Sequence, residues 1–193
     1  GVLAGGLFLL HTGNLWPGGV YEKALAVLSY LTVLSGIAGY FIQRIYPSLL
    51  TETGIEVIYE RIPLRISELR QKAEALVLEC CDQTRVDTLG RHYLDSLQWF
   101  FSRPRFTFNH IVGSQRSRQW LQQQDENVCR YLNDAERKYL DDLSRLARQK
   151  NCIDLHYALQ GAMKRWLLVH IPLTVALMAL SFWHFLVVNV YSL

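Results

Sequence analysis

The chain has 193 residues, half of them apolar, with 20 basic and 17 acidic side chains, a formal net charge of +3 and a mean hydropathy just above zero. That composition belongs either to an unusually apolar globule or to a protein with separate membrane and aqueous parts, and the mixed, nearly balanced charges give no support for nucleic acid as a partner. The distribution of charge separates the two. Glu22 and Lys23 are the only Asp, Glu, Lys or Arg residues before Arg44, and none follows Arg165. Both ends are stripped of charge while the middle is rich in it, which predicts an all-α integral membrane bundle with a helical extramembrane domain.

In chain order, Gly1 to Thr12 is apolar but only about 18 Å long as a helix, too short to cross a bilayer unaided. With no initiating Met and no basic leader, it is expected to be a transmembrane helix that has lost its beginning. His11 to Gly19 then forms a polar turn rich in breakers, with Trp16 suited to a membrane interface. A second span runs from about Val20 to Ile45 and contains the small-residue patch Ser35-Gly36-Ile37-Ala38-Gly39, which admits a neighbouring helix or the flat face of a macrocycle. Residues 1–45 thus form the first part of the membrane bundle.

Residues 46–162 read as helical throughout. Pro63 interrupts a first piece, after which Leu64, Ile66, Leu69, Ala73, Leu76 and Leu78 recur at helical rather than strand spacing. Asp87 to Phe101 is a second helix, stopped near Arg103-Pro104-Arg105. Asn133 with Glu136 is a capping box for a helix over Asp134 to Lys150, and Asp154 is expected to cap a further helix running into the membrane. Arg103, Arg105, Arg116 and Arg118 with Trp120 suit a solvated or juxtamembrane face better than a built lipid-phosphate site. Cys80, Cys81, Cys129 and Cys152 form no CxxC pattern, so zinc ribbons and covalent c-type haem lack support, and the adjacent Cys80 and Cys81 read as free thiols. No P-loop, HExxH or serine-triad pattern occurs, and His92, His110 and His156 read as surface or packing residues.

The third span, within residues 163–193, is free of charge from Leu167 onward and long enough for a hydrocarbon core about 30 Å thick. Arg44, Lys164 and Arg165 sit at the two membrane ends facing the central region, which predicts a multi-pass inner-membrane protein with its central domain in the cytoplasm. This span holds His170 and His184. An imidazole inside a bilayer span is costly and asks for a reason. Their 14-residue separation is about 40° short of four whole turns, so both leave the same helix face, about 21 Å apart along the axis. Imidazole is a strong ligand for haem iron, and two facing histidines close both axial positions, which gives an electron carrier.

The spacing His170-(13 residues)-His184 resembles that on the ligand helices of dihaem b-type cytochromes, the membrane subunits of quinol-cytochrome c oxidoreductases and their relatives. The resemblance covers about a third of the chain. The long helical insertion departs from the respiratory pattern and points to a separate bacterial family of cytochrome b-like membrane proteins. It implies two haem b groups, with His11, His170 and His184 as iron ligands and with Gly5, Gly6, Gly36 and Gly39 lining porphyrin. His11 pairs with His184 on the outer haem in this scheme. The partner of His170 is expected upstream of residue 1 or from another chain, such as a second copy in a homodimer or another membrane subunit. The expected function is transmembrane electron transfer, linking a quinone or periplasmic redox partner to a redox protein docked on the cytoplasmic domain, as part of an oxidoreductase complex rather than as a complete enzyme. The competing expectation is a haem-free, membrane-anchored helical scaffold or sensor that recruits partner proteins. Pro172, two residues after His170, is expected to kink the helix.

Overall fold

The computed structural model describes residues 18–51, 54–55 and 57–191. Helices are the regular elements throughout, with no strand among the described residues. The chain divides into two compact units, one of residues 1–47 and 163–193 and the other of residues 48–162.

In chain order the α-helices are α1 (Val20–Thr51), α2 (Ile62–Thr84), α3 (Thr88–His92), α4 (Gln98–Ser102), α5 (Thr107–Ile111), α6 (Arg116–Cys129) and α7 (Asp134–Tyr191). A 3-10 turn, Tyr59–Arg61, leads into α2, and a π-helical turn, Tyr93–Leu97, joins α3 to α4. Two helices, α1 and α7, are long and apolar enough to cross a membrane. The described residues therefore supply two such helices rather than the expected three; the Gly1 to Thr12 segment, with Gly5, Gly6 and His11, lies outside them.

Helix α1 continues past the expected end at Ile45 and carries Pro47 within it. The residues it buries, Ala26, Ser29, Thr32 and Gly39, are small and follow at intervals of three, three and seven, all on one helix face, so a second helix approaches closely along that stripe. The C-terminal part of α7 occupies it antiparallel to α1: Tyr21 Oη donates to the Leu180 carbonyl at 2.6 Å, and Trp166 Nε1 donates to the Ser35 carbonyl at 2.8 Å. At Gly39 a Cβ would collide with the Trp166 indole, so this position tolerates no side chain without displacing the ring.

Within residues 48–162 the core is built by Ile62, Ile66, Leu69, Ala73, Val77 and Cys80 of α2, by Phe100 and Phe101 of α4, and by Leu140, Leu143 and Ala147 of α7. The helical period on α2 is as expected but its buried stripe differs: Leu64 and Leu78 are exposed, while Ile62, Val77 and Cys80 are buried. Pro63 falls in the first turn of α2, where its missing N–H costs no helical bond. The Asn133 capping box forms, with Glu136 N–H donating to Asn133 Oδ1 at 2.8 Å and Asn133 N–H donating to Glu136 Oε2 at 3.1 Å.

Two expectations about the last helix are corrected. No break separates Lys150 from Asp154, because Asn151, Cys152 and Ile153 offer neither Gly nor Pro, and one helix runs from Asp134 to Tyr191. Asp154 is therefore no cap. Its Oδ2 accepts from Lys150 Nζ at 2.6 Å, and both side chains are fully buried. Lys150 Nζ also donates to the Arg103 carbonyl at 2.9 Å and lies 4.0 Å from the centre of the Phe100 ring, tying the Arg103-Pro104-Arg105 turn to α7. Pro172 is accommodated without ending the helix.

Candidate functional site

His170 and His184 both meet α1. His170 Nδ1 lies 3.2 Å from Ser35 Oγ, and its ring stacks on Trp166 with centroids 5.0 Å apart and planes 18° apart. Fourteen residues further on, the His184 ring stacks on Tyr21 at 6.0 Å and 24°. Tyr21 and Ser35 are themselves 14 residues apart, so the spacing on α7 is matched by an equal spacing on α1, as an antiparallel pair of equal helical rise requires. Each imidazole thus has a partner from the facing helix. Helical period alone puts the two histidines on one face; the paired helix identifies which face it is.

The geometry at His170 bears directly on metal binding. The Ser35 hydroxyl engages Nδ1 and so orients the ring, which leaves Nε2 as the nitrogen for a ligand. A pocket of about 510 Å³ opens beside the ring, lined by Gly36, Ile37, Phe41, His170 and Thr174 among others. That lies within the range of about 300–1,000 Å³ usual for small-molecule sites. A Cβ on Gly36 would stand 3.8 Å from His170 Cε1, an ordinary contact, whereas the space at Gly39 is filled by Trp166. Thr174 donates its hydroxyl to the His170 carbonyl at 2.8 Å, one turn back along α7.

Of the sequence-predicted residues, the structure therefore brings His170, Gly36 and Gly39 to one stretch of the α1–α7 contact and places His184 at another. His11, Gly5 and Gly6 fall outside the described residues, so the pairing of His11 with His184 is not addressed. Ser35, Tyr21 and Trp166 were not singled out as partners of the histidines. The roles of Ser35 and Tyr21 depend on the register between helices more than 100 residues apart in sequence, which no local motif encodes, whereas Trp166 lies four residues before His170 on the same helix, a spacing that could have found it. Among the described residues no group of three or more His, Cys, Asp or Glu side chains is arranged to hold a metal ion.

The other histidines sit in the helical unit. His110 and His156 are buried rather than on the surface, and His156 Nδ1 meets Gln160 Nε2 at 3.3 Å. Burial, with the Lys150 and Arg118 charges nearby, pushes His110 down to about 4. Cys80 and Cys81 are free thiols, and burial raises that of Cys80. The expected basic face is divided: Arg105 stacks over the Trp99 ring at 4.0 Å, and Trp120 joins an aromatic cluster with Trp99, Phe100 and Phe106.

Comparison with known protein families, with curated proteins and with solved structures finds no match.

Proposed function

We propose that the chain is a membrane electron-transfer subunit in which His170 and His184 each bind one haem b, with α1 and the C-terminal part of α7 crossing the inner membrane. The observation that carries this reading is the doubled 14-residue spacing, in which two imidazoles on α7 each meet a polar partner on α1. A haem b at each position supplies a one-electron Fe(III)/Fe(II) couple.

The chain's own residues prepare the inner position. Ser35 holds Nδ1 and Trp166 lies flat against the ring, which limits rotation of the imidazole and presents Nε2. Gly36 keeps the adjoining wall free of a side chain, and Ile37 and Phe41 line the pocket with apolar surface against which a porphyrin would pack. At the outer position Tyr21 fixes the plane of His184 and is itself anchored on the Leu180 carbonyl. His11, outside the described residues, is the proposed second ligand for a haem at His184, and another chain would supply the one for a haem at His170. Electrons pass between a quinone or periplasmic partner and a redox protein on the helical unit, which lies on the cytoplasmic side.

A second reading, a haem-free membrane scaffold, draws support from Gly39, where the indole of Trp166 already accounts for the missing side chain. The absorption difference between dithionite-reduced and oxidised protein, purified in detergent from haem-replete cells, separates the two readings. Electron transfer predicts the Soret and α bands of a b-type haem; a featureless difference spectrum leaves the scaffold.

A further inference from the structure

In the helical unit, α5, the start of α6 and α7 surround a second pocket, of about 100 Å³, lined by His110, Ser114, Ser117, Arg118 and Asn151 among others, none of them acidic. Its buried wall is polar and incomplete. His110 is 5% exposed and Asn151 7%, yet His110 Nε2 and Asn151 Oδ1 have no hydrogen-bond partner. A buried polar atom left unpaired loses its hydration without compensation, so both atoms call for a guest. A single water needs only about 10–15 Å³ of such space, and the pocket holds several times that.

The charged side chains that act on His110 are cations. Helix α6 begins at its edge, and a helix start presents unpaired N–H groups and the positive end of the helix dipole. Helices commonly offset this with an acidic residue or a capping side chain. Here the first turn carries no acid, Gln115 makes no side-chain cap bond, the Ser114 hydroxyl accepts from the Arg116 N–H at 3.3 Å and keeps its own proton to donate, and Arg116 and Arg118 add positive charge. Lys150, on the neighbouring turn of α7, and Arg118 both act on His110 electrostatically. Serine hydroxyls, an arginine, an imidazole and a helix start converge with no carboxylate among them.

We infer that this pocket binds a phosphate group, either as inorganic phosphate or a soluble phosphomonoester or as the headgroup of an anionic phospholipid. Arg118 and the Ser114 hydroxyl, both on exposed residues, form the mouth, and His110, Ser117 and Asn151 form the floor. The Asn151 amide turns to present its nitrogen, since the two ends of an amide are nearly isosteric. The site is independent of the haem reading.

Isothermal titration of the detergent-purified full chain with inorganic phosphate, at constant ionic strength, tests it. One saturable site is expected, weakened about tenfold or more in Arg118→Gln by loss of a charge-assisted hydrogen bond. Arg118→Lys, which keeps the charge, is expected to recover part of the affinity. Arg118 is exposed, so the ligand-free melting temperature of both variants should match wild type. In a second arm the protein is mixed with phosphatidic acid vesicles and with phosphatidylcholine vesicles. Preference for phosphatidic acid that inorganic phosphate competes away, and that Arg118→Gln abolishes, assigns the site to a lipid headgroup; binding of inorganic phosphate without that preference assigns it to a soluble phosphate. Absence of phosphate binding in both arms, or binding that Arg118→Gln leaves unchanged, overturns the proposal and leaves a water-filled pocket.

Discussion

Before residue 162, α7 buries Leu143, Ala147, Lys150, Asp154 and Leu159; after Met163, its large side chains Leu168, Val175, Met178, Phe182, Phe185 and Val190 stand exposed. The two stretches belong to one uninterrupted helix, so helix propensity does not distinguish them. The surroundings do. Residues 48–162 close an apolar core on themselves and even internalise an ion pair, whereas α1 and the end of α7 bury mainly the stripe along which they touch. A water-soluble monomer rarely leaves contiguous apolar patches larger than a few hundred Å². The proposed bilayer would cover this one.

The sharpest way to break that comparison is to make the buried ion pair behave like an exposed one. Lys150→Met leaves the Asp154 carboxylate buried without its cation, and a loss of about 3–5 kcal/mol is expected in denaturant unfolding of the helical unit. The double variant Lys150→Met/Asp154→Leu should recover most of it, because the uncompensated charge is gone. Burial acts in opposite directions on the two partners, raising Asp154 to about 6 and lowering Lys150 to about 8. If the single variant costs less than the double, the pair is solvated and the comparison fails.

The mirror-image change puts a charge into the exposed apolar stretch. Met178 is 67% exposed. In water Met178→Arg would shift stability by no more than about 0.5 kcal/mol; near the centre of a bilayer span it costs about 2.5–3.5 kcal/mol of insertion free energy. A fall in the membrane-integrated fraction after carbonate extraction is expected.

Acid probes the helical unit at His110. Its folded-state value, about 4, lies below the ordinary histidine value, so between those two pH values the unfolded chain binds the proton that the fold refuses. Stability from this residue is present above about pH 6.5 and is lost as pH falls toward 4, by about 3 kcal/mol in all. Asp154 works the other way between its ordinary value and about 6, since protonation relieves its burial. Subtracting the unfolding free energies of His110→Phe from those of wild type at each pH removes that shared contribution, and the difference should shrink on acidification. A flat difference would mean that the imidazole is solvated. The smallest effect is at the capping box, where Asn133→Ala should cost about 1 kcal/mol, measured by thermal unfolding.

Local signals in the sequence carried far. The capping box at Asn133 and Glu136 and the helical period of α2 each depend on residues within a few positions of one another, and they were legible. The phase of the α2 stripe was not, because Leu64 and Val77 are equally apolar and only the neighbouring helices decide which is covered. Lys150 and Asp154 look like an ordinary surface pair four residues apart, and Phe100, whose ring covers the ammonium, is 50 positions away. At the candidate site, period alone put His170 and His184 on one face. Ser35 and Tyr21 emerged only from the pairing of α1 with α7.

The haem content of His184→Ala decides whether that imidazole binds haem. Pyridine haemochrome assay of protein purified from haem-replete membranes should give two b-type haems per chain for wild type and one for the variant, with the fold retained by circular dichroism. Equal haem content in the two proteins, or none in either, would contradict the account.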